Sequence, residues 1–387
     1  MSHEEFNEIR SFRDNEVQDA VARIAANEQF QMIAAYLFGK EQAPAFLQKF
    51  QQMRTIHEFQ GNIILAFLLH LQKTTTKGIR LENLDRLQHT ANLFITNHRD
   101  IVLDSAFLNK CLFEAGKNTS EIAIGDNLLI YPWIADLVRL NKSFIVKRGG
   151  SRRDLLQNSI RMSAYIRHDI TERQESVWIA QREGRCKDSN DRTQESLLKM
   201  LALSGEGCIA KRLAELHLTP VAISYEYDPC DYLKAKEFQQ KRDNPDFKKS
   251  PADDLMSMKT GVMGYKGRVV FRICEPMDGF LAQVERDVED KTIQPAIIAQ
   301  EIDRRIHANY ELYPCNWVAA DCLLNTNEHT QHYTPEEKTA FETYIQQRLD
   351  MIDLPNKDED FLRERILTMY ANPAINYLKT LSTKSNI

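Results

Sequence analysis

A histidine followed by two aspartates stands at the end of a short apolar run in this sequence. The run is 93–96, and His98, Asp100 and Asp104 follow it. A carboxylate that bonds one imidazole nitrogen fixes the ring tautomer, so the other nitrogen can take a proton from a hydroxyl group. These residues therefore predict general-base activation of a hydroxyl nucleophile. Taken alone, His98 could also be a polar residue that caps or lines a loop.

A basic segment predicts a second chemical feature. The whole chain has a formal net charge of −5, yet 139–153 contains several Lys and Arg residues and no acidic residue. Such a concentration of positive charge predicts binding of an anion such as a phosphate group. The alternatives are a solvated face or a patch that touches anionic lipid. The acidic balance of the whole chain disfavours nucleic acid as a partner.

Four blocks of the sequence, in order, resemble the motifs of the glycerolphosphate acyltransferase superfamily. They are 97–104, 144–148, 178–185 and 220–226, and the resemblance covers roughly 92–226. It implies that the protein moves a fatty acyl group from acyl-CoA or acyl-carrier protein to the hydroxyl of glycerol-3-phosphate or lysophosphatidate, in phospholipid biosynthesis. No metal and no organic cofactor is implied. The alternatives are acylation of another lysolipid or of an amino-acid-based head group, or a non-catalytic lipid- or anion-binding protein.

The first motif implies that His98 is the general base and that an aspartate orients it. The spacing from His98 to Asp104 is one residue longer than in the family motif. Asp104 is the preferred partner because 104–106 and the apolar residues after it continue as the family does. Asp100 is the alternative partner, and its other interpretation is a helix cap.

The remaining motifs imply substrate-binding roles. The third motif lacks the residue that the family usually has between its Gly and its Arg, so Arg182 or Lys187 could replace Arg185. Arg99 and the ending of the fourth motif favour the branch that acylates glycerol-3-phosphate or dihydroxyacetone phosphate. The residues implied for the acceptor phosphate are Lys147, Arg148, Glu183, Gly184 and Arg185, and those implied for the acyl site are Pro220 and Tyr225.

Other constellations carry weaker chemistry. His329 and His332, with Cys315 and Cys322 upstream, are metal-binding residue types without a recognised zinc spacing. No Gly-x-Ser-x-Gly elbow, P-loop or dinucleotide fingerprint is present. The seven cysteines are scattered and form no Cys-x-x-Cys pair, which predicts reduced thiols and a cytoplasmic protein. The longest apolar stretch, 63–71, is far shorter than the roughly 20 residues that span a bilayer, so contact with the cytoplasmic membrane face would be peripheral.

The elements that must position these residues alternate between strands and helices, which predicts an α/β fold. The resemblance implies an αβ sandwich of the acyltransferase type. We expect an N-terminal helical bundle (1–75), an α/β acyltransferase domain (76–325) and a C-terminal helical extension (326–387), with a polar break at 74–78 and a mobile loop at 241–254. Strands are predicted at 93–96, 144–146, 177–180, 221–224 and 269–273, and helices at 104–115, 152–171, 193–204, 209–216, 335–352 and 358–381.

Overall fold

Within residues 6–129 and 131–383, which the computed structural model describes, seven strands form one sheet. The strands are β1 (Thr76–Glu82), β2 (Leu93–Thr96), β3 (Glu121–Gly125), β4 (Ser143–Val146), β5 (Val177–Ala180), β6 (Leu218–Tyr225) and β7 (Gly267–Ile273). Their order in the sheet is β1-β7-β6-β2-β5-β3-β4.

The five strands β2 to β6 run parallel, and this direction decides where the predicted motifs meet. β2 pairs with β5 and β6, and β3 pairs with β4 and β5, all in parallel. β7 is antiparallel to β6, and β1 is parallel to β7. The loops after the carboxyl ends of β2 to β6 therefore share one edge of the sheet, where α/β proteins place their sites. The predicted α/β fold class is confirmed.

Helices cover both faces of the sheet and both ends of the chain. A π-helical turn, Gln60–Ile64, separates the fourth helix from the fifth. The helices are α1 (Val17–Ala26), α2 (Glu28–Phe38), α3 (Ala43–Gln51), α4 (Ile56–Phe59), α5 (Leu65–Thr75), α6 (Leu103–Glu114), α7 (Pro132–Leu140), α8 (Arg152–Thr171), α9 (Glu195–Leu201), α10 (Ile209–Ala214), α11 (Asp231–Asp243), α12 (Pro251–Met263), α13 (Asp278–Asp287), α14 (Gln294–Ala308), α15 (Pro314–Leu324), α16 (Pro335–Asp350) and α17 (Glu359–Thr383).

The buried strand β2 shows how the sheet joins two apolar layers. All four of its residues are buried, and successive side chains point to opposite faces. Leu93 and Ile95 pack in the core that includes residues of α8 and α14, whereas Phe94 packs in the core on the other face, with residues of α5 and α6. Burial on both faces explains why β2 is a continuous apolar run in the sequence.

The terminal helices have cores of their own. Residues of α1, α3 and α7 share one core, in which Phe50 and Leu140 are buried. Residues of α11, α15, α16 and α17 share another. The segment before α1 is an exception, because Phe6 and Ile9 are buried in the core of the sheet with α8 and α14. None of the described helices combines the length and the apolar character needed to cross a membrane.

Three expectations about local structure were wrong. The expected polar break at 74–78 is the end of α5 followed directly by β1. β1 and β3 were not predicted as strands. The expected mobile loop at 241–254 is helical at both ends, because α11 extends to Asp243 and α12 begins at Pro251, where Ser250 caps it.

Candidate active site

His98 and Asp104 meet at the carboxyl edge of the parallel strands. His98 lies in the loop between β2 and α6, and Asp104 lies in the first turn of α6. The Nδ1 atom of His98 is 2.8 Å from Oδ2 of Asp104. Asp104 is fully buried, and its Oδ2 also accepts the backbone N–H groups of Arg99, at 2.7 Å, and Asp100, at 3.1 Å. The loop backbone thus fixes the carboxylate that holds the imidazole.

Asp100 has a different partner set. Its Oδ1 accepts the backbone N–H groups of Val102, at 2.9 Å, and Leu103, at 2.8 Å, so this side chain caps the beginning of α6. Burial raises the pKa of the Asp100 carboxyl, and the charge of Asp104 raises it further. The structure therefore brings Asp104 to the imidazole and uses Asp100 to hold the helix.

Aromatic side chains line the surroundings of His98. Trp178 of β5 meets the imidazole edge to face, with ring centroids 5.9 Å apart. Tyr225, at the carboxyl end of β6, is partly buried with a buried hydroxyl, and burial raises the pKa of its phenol well above the usual value, with further increases from the charges of Asp104 and Asp100. The Tyr225 hydroxyl and Oδ1 of Asp104 both lack a hydrogen-bond partner among the described residues. The phenol of Tyr225 and the carboxylate of the dyad therefore interact electrostatically.

Two contacts tie the His98 loop to its neighbouring strands. The side-chain amide of Asn97 donates to the carbonyl of Ile223 at 2.9 Å and accepts the Ile223 N–H at 2.8 Å, which continues the β2–β6 ladder beyond β2. The carbonyl of His98 accepts the N–H of Cys186, at 3.2 Å, from the loop after β5. The general-base candidate is therefore held from both sides.

Arg99 forms a buried ion pair next to the dyad. Its guanidinium contacts both carboxylate oxygens of Asp191, at 3.1 and 2.7 Å, and Tyr310 donates to the same carboxylate. Burial lowers the pKa of Arg99, but the Asp191 charge outweighs this effect, so the pKa lies above its usual value. Arg99 thus anchors the loop, and its guanidinium is already occupied.

The residues expected to bind the acceptor phosphate come together in part. Arg148, in the loop after β4, lies 3.2 Å from the carboxylate of Glu183, in the loop after β5, and both side chains are solvent-exposed. Gly184 follows with φ +67°, in the left-handed region that favours glycine, and a Cβ there would meet no atom within 4 Å. Lys147 instead pairs with Glu8 at 2.8 Å.

Arg185 differs from its alternative Lys187 in its partners. Burial raises the pKa of Asp100 and opposes the lowering of the pKa of Asp228, and the charge of Arg185 acts on both carboxylates in the lowering direction. One terminal nitrogen of its guanidinium, Nη1, is buried and has no hydrogen-bond partner in the described part of the chain. By contrast, Lys187 is paired with Glu237, and burial is the largest cause that lowers its pKa.

Pro220 lies inside the sheet, away from the exposed edge. It is buried in β6, in register with Ile95, and its carbonyl accepts the N–H of Cys274 at 2.9 Å. The structure therefore does not bring Pro220 to His98 as it brings Tyr225.

Two cations of the basic segment 139–153 already have partners within the protein. Arg139 donates to the carbonyls of Arg10, at 2.9 Å, and Asn7, at 3.0 Å. Lys142 donates to the carbonyl of Thr119 and pairs with Glu175. These two cations are structural, so the anion-binding interpretation is confined to the later residues of the segment.

A second polar cluster behind the dyad was not predicted. Lys234 is buried, pairs with Asp228, and donates to the carbonyl of Arg99 at 3.3 Å. Burial raises the pKa of Asp228, but Lys234 outweighs it and the net pKa is lowered. On the outer side, Gly261 of α12 packs so closely on Asp100 that a Cβ would overlap the carboxylate. Asp228 lies three residues after the end of β6, so the rule that sites follow strand ends could have found it.

Comparison with known proteins gives two findings. Residues 78–224 match the model of the family described as acyltransferase. No curated protein matches the chain. Among solved structures, the chain is similar to the 1-acyl-sn-glycerophosphate (LPA) acyltransferase PlsC from Thermotoga maritima, with a TM-score of 0.34, 11% identity, and coverage of 76% of this chain and 96% of that chain.

Proposed function

We propose that this chain transfers a fatty acyl group from a thioester to a hydroxyl of a phosphate-bearing glycerolipid precursor, and the match of residues 78–224 to the acyltransferase family model supports this proposal. The donor in this proposal is acyl-CoA or acyl-carrier protein, and the acceptor is glycerol-3-phosphate or lysophosphatidate. The observation that carries it is the 2.8 Å contact between His98 and Asp104 at the carboxyl edge of the sheet.

The proposed mechanism uses His98 as a general base. Asp104 accepts the Nδ1–H of His98, which leaves Nε2 as the basic nitrogen. Nε2 takes the proton of the acceptor hydroxyl while its oxygen attacks the thioester carbonyl. The tetrahedral intermediate collapses, the carbon–sulfur bond breaks, and the imidazolium returns the proton to the thiolate. The products are an ester and a free thiol, and the enzyme ends as it began.

Cations in the loops after β4 and β5 support a phosphate-bearing acceptor. Arg148 and Arg185 are the proposed phosphate ligands, because a guanidinium gives planar, bidentate contacts to phosphate oxygens. The unpartnered buried nitrogen of Arg185 supports this role. Arg148 would exchange its exposed contact with Glu183 for the substrate, and Lys147 would add charge nearby. Tyr225 is the proposed neighbour of the acyl carbonyl. Pro220 would have an indirect role, by holding the position of β6, the strand that ends at Tyr225.

We include a peripheral contact with membrane lipid, made from the cytoplasm, in the proposal. Large apolar side chains stay exposed along and after α12, at Leu255, Met256, Met263 and Tyr265. Exposed apolar groups of this kind favour a lipid surface. The close packing of Gly261 on Asp100 puts this surface beside the catalytic loop.

Vesicle binding tests the lipid contact. Leu255→Asp should reduce severalfold the fraction that sediments with phosphatidylglycerol vesicles, because burying a Leu side chain fully is worth about 1.5–3 kcal/mol. Leu324→Asp, at an exposed apolar position of α15, is the matched control and should bind as wild type does. Equal binding by all three proteins would contradict the α12 contact.

A direct assay tests the reaction itself. The pure protein is incubated with radiolabelled acyl-CoA or acyl-carrier protein and with glycerol-3-phosphate, lysophosphatidate, other lysolipids or amino-acid head groups. We expect thiol release and a labelled ester with a phosphorylated glycerol acceptor. Ester formation only with another head group would correct the acceptor. Absence of thiol release with every pair would favour a non-catalytic binding protein.

A further inference from the structure

Metal-binding side chains converge at the edge of the sheet opposite the candidate active site. His89 precedes β2, His217 directly precedes β6, and Asp278 begins α13. One potential ligand atom from each lies within 4.8 Å of the other two. Because β2 and β6 are parallel and His98 follows the carboxyl end of β2, the cluster lies at the amino-terminal edge. The proposed acyl transfer makes no use of it.

The spacing of the ligand atoms suits one metal ion. Nδ1 of His217 is 3.1 Å and Nε2 of His89 is 3.4 Å from Oδ1 of Asp278. Tetrahedral coordination with bonds of about 2.0–2.1 Å puts neighbouring ligand atoms roughly 3.3 Å apart. The second carboxylate oxygen, Oδ2, is buried and accepts no hydrogen bond from the described residues. The carboxylate therefore has an unused oxygen beside two ring nitrogens.

The arrangement of the rings shows what binding must change. The imidazoles of His89 and His217 are stacked, with centroids 3.6 Å apart and planes inclined by 13°. The lone pair of a ring nitrogen lies in the ring plane, so shared coordination requires the rings to open from this stack. The side chains of His89 and His217 are 35% and 33% exposed. They therefore have room to rotate while the backbone stays in place.

We propose that His89, His217 and Asp278 form a transition-metal site, with Zn²⁺ as the ion that suits it best. Two imidazoles and one carboxylate are a ligand set that Zn²⁺ accepts, whereas Mg²⁺ and Ca²⁺ prefer oxygen alone. The three side chains leave a fourth position for water or another small ligand. A bound ion would join the segments that lead into β2, β6 and α13, and so stabilise this edge of the sheet.

The test measures Zn²⁺ binding to tag-free protein freed of metal, by calorimetry, with the visible spectrum of bound Co²⁺ as a second readout. We expect one equivalent of Zn²⁺ and a tetrahedral Co²⁺ spectrum. His89→Ala and His217→Asn should each weaken binding at least tenfold, since loss of even a ligand's supporting partner costs 10–100-fold. Asn is chosen because His217 has φ +48°, which Asn tolerates.

The control variant is His332→Ala. His332 stacks on Trp317 with centroids 4.2 Å apart, and its loss should leave the affinity unchanged. Zn²⁺ should also raise the melting temperature of the wild type and not that of His89→Ala. Far-UV circular dichroism checks that each variant is folded. If His217→Asn does not fold, the test rests on His89→Ala alone. Absence of saturable binding, undiminished binding by folded His89→Ala, or loss of binding in His332→Ala would overturn the proposal.

Discussion

The proposed proton transfer at His98 depends on the hydrogen bond to Asp104, whose carboxylate the loop backbone holds in place. We expect His98→Ala to reduce the rate of acyl transfer by about 10²–10⁴-fold, because general-base help is worth that much. The fold should persist, since the side chain contributes little to the apolar cores. Steady-state thiol release measures the rate, and circular dichroism checks the fold. A rate within threefold of wild type would refute the assignment.

The two neighbouring aspartates provide a matched pair of variants. Asp104→Asn should lower kcat strongly, because the amide disturbs the tautomer of His98 and the two backbone contacts at Oδ2. Asp100→Asn should have a small effect, because an Asn oxygen can still accept the N–H groups of Val102 and Leu103. Assays of kcat for both variants give the order. The reverse order would make Asp100 the orienting residue.

The phosphate-binding proposal predicts an effect on one substrate only. Arg148→Ala or Arg185→Ala should raise the KM for glycerol-3-phosphate by roughly tenfold or more, because a charge-assisted hydrogen bond is worth about 1.5–3 kcal/mol. The KM for the acyl donor should change little. Arg148→Lys should restore part of the loss, since it keeps the charge and gives up the bidentate contact.

Arg152→Ala is the control for these two variants, because Arg152 belongs to the same basic segment and is exposed at the beginning of α8. Kinetics without lipid should show no change for it. If Arg148→Ala and Arg185→Ala also leave the acceptor KM unchanged, the phosphate role is wrong. Equal small effects of all three, seen only with vesicles, would favour the surface interpretation.

At the scale of elements, α12 packs against the loop between β2 and α6. A Cβ at Gly261 would overlap the carboxylate of Asp100. We expect Gly261→Ala to destabilise the fold by up to about 2 kcal/mol, because overpacking costs about 1–3 kcal/mol and the better helix propensity of Ala returns part of it. The displaced Asp100 should also disturb the loop and lower kcat. Denaturant unfolding and thiol release measure the two effects.

Gly279→Ala is the matched control, since Gly279 is also in a helix and a Cβ there would meet no atom within 4 Å. It should change the free energy of unfolding by less than about 1 kcal/mol. Equal stability and equal kcat for the two Ala variants would show that the contact between α12 and the loop does not matter.

The sequence predicts best the elements whose pattern is local. Helix α8 has the expected bounds, and Ser151 and Asp154 form a capping box that marks its beginning. The apolar run of β2 reflects its burial on both faces. β1 was missed because it is an edge strand in which polar residues alternate with Ile79 and Leu81. Residues 78–224, which match the acyltransferase family model, include all four of the motifs.

The parts of the site that the sequence did not predict depend on long-range packing. Asp191 is far from Arg99 in the chain, so their ion pair has no local signal. The same holds for the approach of Gly261 to Asp100. Conversely, the sequence predicts Arg139 and Lys142 as part of an anion-binding segment. Their contacts with the carbonyl of Arg10 and the carboxylate of Glu175 depend on the folded structure and leave no signal in the sequence.

At the scale of the whole molecule, the segment before α1 joins the terminal helices to the sheet. The carbonyl of Ile9 accepts the N–H of Ile145 in β4 at 2.8 Å, and the N–H of Phe12 donates to the carbonyl of Arg139 at 3.1 Å. The division at 75 and 76 stays a prediction, but these contacts cross it. We therefore expect residues 6–12 to stabilise the α/β layer.

Ile9→Ala tests this coupling, and Ile33→Ala is its matched control. Ile9 is 3% exposed in the core of the sheet, whereas Ile33 in α2 is 41% exposed. Ile9→Ala should lower the free energy of unfolding by about 2–5 kcal/mol, and Ile33→Ala by less than about 1 kcal/mol. Because Ile9 packs with residues of the sheet, helix loss by circular dichroism and loss of acyl transfer should shift together to lower urea concentration. If Ile9→Ala melted only part of the helices while activity kept the wild-type midpoint, the N-terminal segment would be separable from the α/β layer.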